Sequence, residues 1–148
     1  MKSKEEIKIN AKIIRIKSLN FTQNDIQDDQ YIENNIFKLD FNTKLQFGYN
    51  KEANEFIIFV DVVSYVKELD LEFSKIKVEN AFEINSFGID LDFENISEEG
   101  VNIPDFVINS LVEASISNVR GMLVERFRGT IFQNEILPLI SFSNFKES

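Results

Sequence analysis

One long helical repeat, placed late in the chain, most constrains the fold. Between Val101 and Phe145, apolar residues recur at Val107, Ile108, Leu111, Val112, Ile116, Val119, Met122, Leu123 and Phe127. This is the i, i+3, i+4 spacing of an amphipathic helix, whose apolar stripe must be buried. Asn102 is placed to cap it, and Pro104 falls in the first turn, where its missing N–H costs nothing. Asp105 suits the positive end of the helix dipole, and Arg120, Arg126 and Arg128 suit the negative end. Gly129 reads as the stop, in the left-handed conformation that glycine tolerates best. A helix over 103–127 is about 37 Å long at 1.5 Å per residue. That length spans a small sheet and leaves a face for a second subunit. Gly121 inside it costs about 1 kcal/mol relative to Ala, so close approach of a second helix or of the sheet is expected there.

Everything before this helix reads as strand. In residues 5–21, Ile7, Ile9, Ala11 and Ile13 alternate with polar residues, then the phase slips to Ile14 and Ile16, as at a β-bulge. Residues 23–35 are polar and read as a crossover loop. Residues 36–49 give the cleanest period of two, with Phe37, Leu39, Phe41, Leu45, Phe47 and Tyr49 on one face. After a turn at 50–54, residues 55–67 are apolar on both faces, as in a central strand whose second face is covered by helix, subunit or client. Residues 69–85 form a fourth strand with a phase slip near Ser74. Phe87, Ile89, Leu91 and Phe93 continue it or form a fifth, and 95–100 lead into the helix. Strands followed by one helix define an α+β class: an antiparallel four- to five-stranded meander sheet with one long C-terminal helix packed on one face.

Bulk properties exclude several functions. A length of 148 residues, with 43% hydrophobic and 28% charged residues, fits one globular domain over 1–148, with 1–6 and 146–148 frayed. No apolar run is long enough to span a bilayer, so membrane insertion is not expected. The first residues carry charge without an apolar core of a secretory signal, and with no Cys a cytoplasmic location is the expectation. A net charge of −9 disfavours a nucleic-acid partner. The first 17 residues carry +4 and the remainder −13, so the acidic body either serves solubility or steers cationic partners. Without His or Cys, the commonest general base, the thiol nucleophile and most transition-metal sites are missing. No Gly-rich phosphate loop occurs among the 5 glycines. The expectation is a protein that is not an enzyme and needs no cofactor or metal.

The residues around the helix resemble a known family. Ile116-Ser117-Asn118, then Arg128-Gly129-Thr130, Phe132, Leu137-Pro138-Leu139 and Asn144-Phe145 match the order and spacing of the C-terminal part of the bacterial export chaperone SecB and its SecB-like relatives. Ser18-Leu19-Asn20-Phe21 and Glu79-Asn80-Ala81-Phe82-Glu83-Ile84 fall where such sequences have comparable segments. The resemblance implies a four-stranded antiparallel sheet with helices on one face. It also implies a dimer or dimer of dimers and the holding of unfolded or extended polypeptide in apolar grooves without ATP, with protein export as one use. A dedicated chaperone of one cognate protein, such as a labile antitoxin, is the alternative. Two departures stand out. The sequence reaches Ser148 where export chaperones begin a second helix. Ser18 and Thr22 replace the acidic residues those chaperones use to contact the translocation ATPase SecA. The first implies a shallower or altered groove, and the second weighs against a dedicated SecA-docking surface, while SecA stays a candidate partner.

The sequence offers three candidate sites. Leu19, Phe21, Phe56, Ile58, Phe132, Phe142 and Phe145 are candidates for an apolar client groove, or else plain core and subunit interface. The helix strip Asn109, Glu113, Ser117, Arg120 and Gly121 is solvent-facing or a subunit interface. Asp90, Asp92 and Glu94 share one strand face and read as solvated surface, an acidic docking patch or, less simply, a hard-cation site lacking further ligands.

Overall fold

A computed structural model describes residues 8–24, 38–50, 52–87 and 105–139. Four strands, β1 (Lys8–Gln23), β2 (Leu39–Asn50), β3 (Glu55–Val66) and β4 (Leu71–Phe87), precede one long helix, α1 (Asp105–Arg126). All pairings are antiparallel and the sheet order is β1-β4-β3-β2. The expected meander therefore holds for β2, β3 and β4, whereas β1 lies at the far edge, beside β4. Placing β1 there puts the greasiest strands, β3 and β4, in the middle, where both edges of each find ladder partners. The continuation at 88–94 and the expected cap at Asn102 and Pro104 lie outside the described residues.

The phase slips in the sequence are bulges. Ile14 is the extra residue between the pairs Ile13–Phe82 and Arg15–Ala81, and Leu19 is a second, between Ser18–Val78 and Asn20–Lys77. On β4, Phe73 is extra between Ser64–Ser74 and Tyr65–Glu72, next to the expected slip at Ser74. Each bulge reverses the facing of the residues after it, so Ile13 and Ile16, of opposite parity, share one face. The Lys67–Leu69 turn between β3 and β4 ends in Asp70 at φ 51°, a left-handed position that Asp tolerates better than bulkier residues.

The helix lies on the face built from alternate β3 residues. Phe56, Ile58, Val60, Val62 and Val66 are buried beneath Val107, Leu111, Val112, Ile116, Val119, Leu123 and Phe127. β4 adds Phe73, Ile76, Val78 and Phe82 to the same core. At roughly 1.5–3 kcal/mol for each large apolar side chain removed from water, this stripe supplies the main force holding helix to sheet. A buried polar link sets its position. Asn80 Nδ2 donates to the Ile58 carbonyl at 3.2 Å, and its amide oxygen accepts from Asn118 Nδ2 at 3.1 Å. Ser115, also buried, satisfies its hydroxyl by donating to the Leu111 carbonyl one turn back, at 2.8 Å.

The helix ends as its sequence predicts. Gly129 has φ 79°, and the Thr130 hydroxyl donates to the Phe127 carbonyl at 2.7 Å while accepting from the Phe132 N–H at 3.1 Å. The Arg-Gly-Thr step thus turns the chain back on itself, and the tail at 131–139 returns alongside the helix.

Candidate polypeptide-binding surface

The surface begins at the corner where β1 ends, β4 begins and the helix exits. Phe73, placed by its bulge, packs its ring against Phe127 at 5.3 Å and Phe132 at 4.6 Å between centroids. The Arg126 guanidinium lies over the Phe21 ring at 4.7 Å, covering an aromatic that is only half buried. The Asn24 N–H donates to the Phe73 carbonyl at 2.8 Å and ties the end of β1 to the bulge. Phe132, Phe56 and Ile58 were candidates for the groove. The structure corrects this: they are 1%, 4% and 0% exposed, and a client cannot touch them without opening the core. Aromatic character suggested a greasy groove, but sequence alone does not tell a buried ring from a presented one. Phe142 and Phe145 lie outside the described residues.

Other apolar side chains are presented instead. Ile13, Ile14, Ile16 and Leu19 are all exposed along β1, and every residue from 11 to 20 is exposed. The two bulges contribute: they bring Ile13 and Ile16 to one face of this edge strand and leave Ile14 and Leu19 as extra residues without a register partner. Leu19 is the member of the candidate groove set whose exposure fits a contact role. Ile131 and Ile136 are exposed on the tail, and Leu139 is 89% exposed. These tail residues are interspersed with buried Phe132 and Leu137, so the segment is anchored by one set and presents the other. The sequence carries little signal for that division. Ile136-Leu137-Pro138-Leu139 is an unbroken apolar run, with no polar alternation to mark which side chains turn inward.

Arg120 fixes the tail. Its Nε donates to the Leu137 carbonyl at 2.8 Å and its Nη2 to the Pro138 carbonyl at 3.0 Å, with Nη1 reaching the Ser117 hydroxyl at 3.3 Å. Arg120 and Ser117, expected on a subunit-facing strip, therefore bond within their own chain. Asn109, Glu113 and Gly121 are exposed on the helix. Among the described residues, no atom lies within 4 Å of where a Gly121 Cβ would sit, apart from its chain neighbours and the helix's own backbone. The sheet is thus not the reason for this glycine.

The opposite face of the sheet carries mixed charge around the half-buried apolar side chains Ile57, Phe59 and Val63 of β3. Arg15 donates to Glu79 at 2.6 Å and to Glu55 at 3.1 Å, joining β1, β4 and β3. Those two carboxylates, Glu79 first, raise the already high pKa of this guanidinium. Toward the other end of the face, Lys44, Lys75 and Lys77 line a groove of about 460 Å³ with Asp61, Glu72, Val63 and Tyr65. Thr22, paired with Lys75, is exposed on β1 and brings no charge to this face, whereas Ser18, paired with buried Val78, is exposed on the helix side of the strand. Asp90, Asp92 and Glu94 lie outside the described residues. Among the described residues, no group of three acidic, His or Cys side chains is arranged to hold a metal ion, and no helix is long and apolar enough to cross a membrane.

A four-stranded antiparallel sheet with edge strand β1 beside β4, one long helix on one face and a returning tail is the SecB-like α+β architecture. The backbone superposes on the Mycobacterium tuberculosis Rv1957 SecB-like chaperone, solved in complex with a ChAD peptide from the Rv1956 HigA1 antitoxin, with a TM-score of 0.64. The likeness covers 88% of this chain and 90% of that one at 11% sequence identity. The chain therefore has the SecB-like fold. No family model matches the sequence, and no curated protein matches it.

Proposed function

We propose that this protein is an ATP-independent chaperone that holds unfolded or extended polypeptide. The observation that carries the reading is the pair of aliphatic surfaces a SecB-like fold leaves uncovered here: Ile13, Ile14, Ile16 and Leu19 on β1, and Ile131, Ile136 and Leu139 on the tail. Exposed aliphatics next to an edge strand suit clients of many sequences, since apolar contact is non-directional and strand pairing uses only backbone. Cytoplasmic action as a homo-oligomer, dimer or dimer of dimers, belongs to the same reading. The exposed helix face at Asn109, Glu113 and Gly121 supports a second copy there, as a mid-helix glycine open to solvent costs stability without benefit to the single chain. Export through SecA is the narrower form of the proposal, and the uncharged Ser18 and Thr22 give it little support.

The deciding experiment is aggregation suppression of two unrelated substrates, thermally unfolding citrate synthase and reduced α-lactalbumin, with sedimentation on the same sample. Protection of both at near-stoichiometric ratios by an oligomer is the expected result. Protection of neither rejects the general holdase. A second reading would then stand: a dedicated chaperone of one cognate protein. The antitoxin peptide bound by the Mycobacterium tuberculosis neighbour favours it, and co-purification of a single partner would support it.

A further inference from the structure

We propose that Arg120 is a positioning residue for the client surface: its guanidinium holds the tail so that Ile136 and Leu139 form a fixed apolar rail. The inference rests on the polypeptide-holding reading and deepens it. Nε and Nη2 take two consecutive carbonyls, those of Leu137 and Pro138, at 2.8 and 3.0 Å. The guanidinium makes both bonds from two nitrogens held in one plane, a fixed geometry that Lys, a single nitrogen on a flexible stem, does not reproduce. Between these bonds, Leu137 is 2% exposed while Ile136 is 56% and Leu139 is 89% exposed. The clamp therefore decides which side chains of an extended segment go in and which stay out.

The same geometry states how the rail is used. Pro138 has no N–H, and the carbonyls of Leu137 and Pro138 are already engaged by Arg120. This part of the tail is thus a poor template for strand pairing, so the client segment of the polypeptide-holding reading meets it through aliphatic or aromatic side chains. Pre-organisation is the gain: a tail already ordered gives up less entropy when a client docks.

The test measures affinity for reduced, carboxymethylated α-lactalbumin with the wild-type protein, Arg120→Lys, Ile136→Ser/Leu139→Ser, and the triple variant, with urea unfolding of each. Hydrogen exchange at the Ile136, Leu137 and Leu139 amides reports the tail itself. Arg120→Lys is expected to weaken binding about tenfold, speed tail exchange and leave the unfolding midpoint close to wild type. In the Ile136→Ser/Leu139→Ser background the same substitution is expected to cost nothing further, since it acts through those side chains. Wild-type affinity in Arg120→Lys, or a loss that adds in full in the triple variant, overturns the role. Failure of the wild-type protein to bind the client rejects the holdase reading first, and Arg120's role with it. Arg128→Lys, at an exposed guanidinium paired with Glu125, is the control and is expected to bind as wild type.

Discussion

Asn80 and Asn118 show how single residues place the helix. Both are short amides in apolar surroundings, and each answers the other's hydrogen-bonding need. Asn118→Ala leaves the buried Asn80 oxygen without this donor, and the expected cost is about 1–3 kcal/mol in urea unfolding. Asn80→Ala/Asn118→Ala is expected to cost less than the two single changes added, since one interaction is counted in both. Full additivity would remove the link. Among the described residues, Tyr49 carries a pH signature in the alkaline range. Desolvation raises its phenol above the ordinary 10.0, and its hydroxyl donates to Asn54 Oδ1 at 2.9 Å. A raised acid is harder to ionise in the folded chain than in the unfolded one. Its contribution is therefore whole below the unfolded value and lost as pH rises through the raised one. Urea midpoints across the alkaline range should fall for the wild-type protein and fall less for Tyr49→Phe. Equal slopes would mean the phenol is not linked to folding.

Elements carry the next two predictions. The helix and its returning tail behave as one unit because Phe73, Phe127 and Phe132 interlock. Phe132→Ser is expected to destabilise by about 3–5 kcal/mol, the usual range for emptying a buried ring site. That is a large share of the roughly 5–15 kcal/mol a domain has. A drop below about 1 kcal/mol would place the ring outside the core. Gly121 gives the opposite sign. With open space where its Cβ would go, Gly121→Ala should stabilise the isolated chain by about 1 kcal/mol. If a second helix packs there, the same methyl loosens the oligomer, so sedimentation and unfolding move in opposite directions. Joint improvement of both would exclude that face as an interface.

At the scale of the whole molecule, the sheet has one face under the helix and another that mixes charged groups with the half-buried Ile57, Phe59 and Val63. Among the described residues, β1 has a ladder partner on one side only. An exposed edge carrying Ile13, Ile14, Ile16 and Leu19 is an aggregation hazard unless a second copy or a client covers it. Ile14→Lys/Leu19→Lys is expected to keep the fold, since both are bulge residues, 37% and 43% exposed. It should lower either the oligomer's mass in sedimentation or its client affinity. If neither changes, β1 is not a working surface.

The sequence alone determined the elements. Periodicity separates a helix from strands because burial on one face leaves a mark at 3.6 or at 2 residues, and a bulge leaves its own mark as a slipped phase at Ile14 and near Ser74. Gly129 was legible because a left-handed turn admits few residues. The resemblance in the Asn80 and Asn118 segments was legible too, though not that the two amides meet. Tertiary structure alone decided which aromatics are core and which aliphatics are presented, because exposure depends on what the chain brings from far away. Phe56, Ile58 and Phe132 disappear under α1 and the tail, Leu19 is the exposed extra residue of a bulge, and Arg120 bonds to its own tail. The position of β1 beside β4 was likewise a tertiary matter, since an amphipathic pattern specifies a strand's faces but not its neighbours.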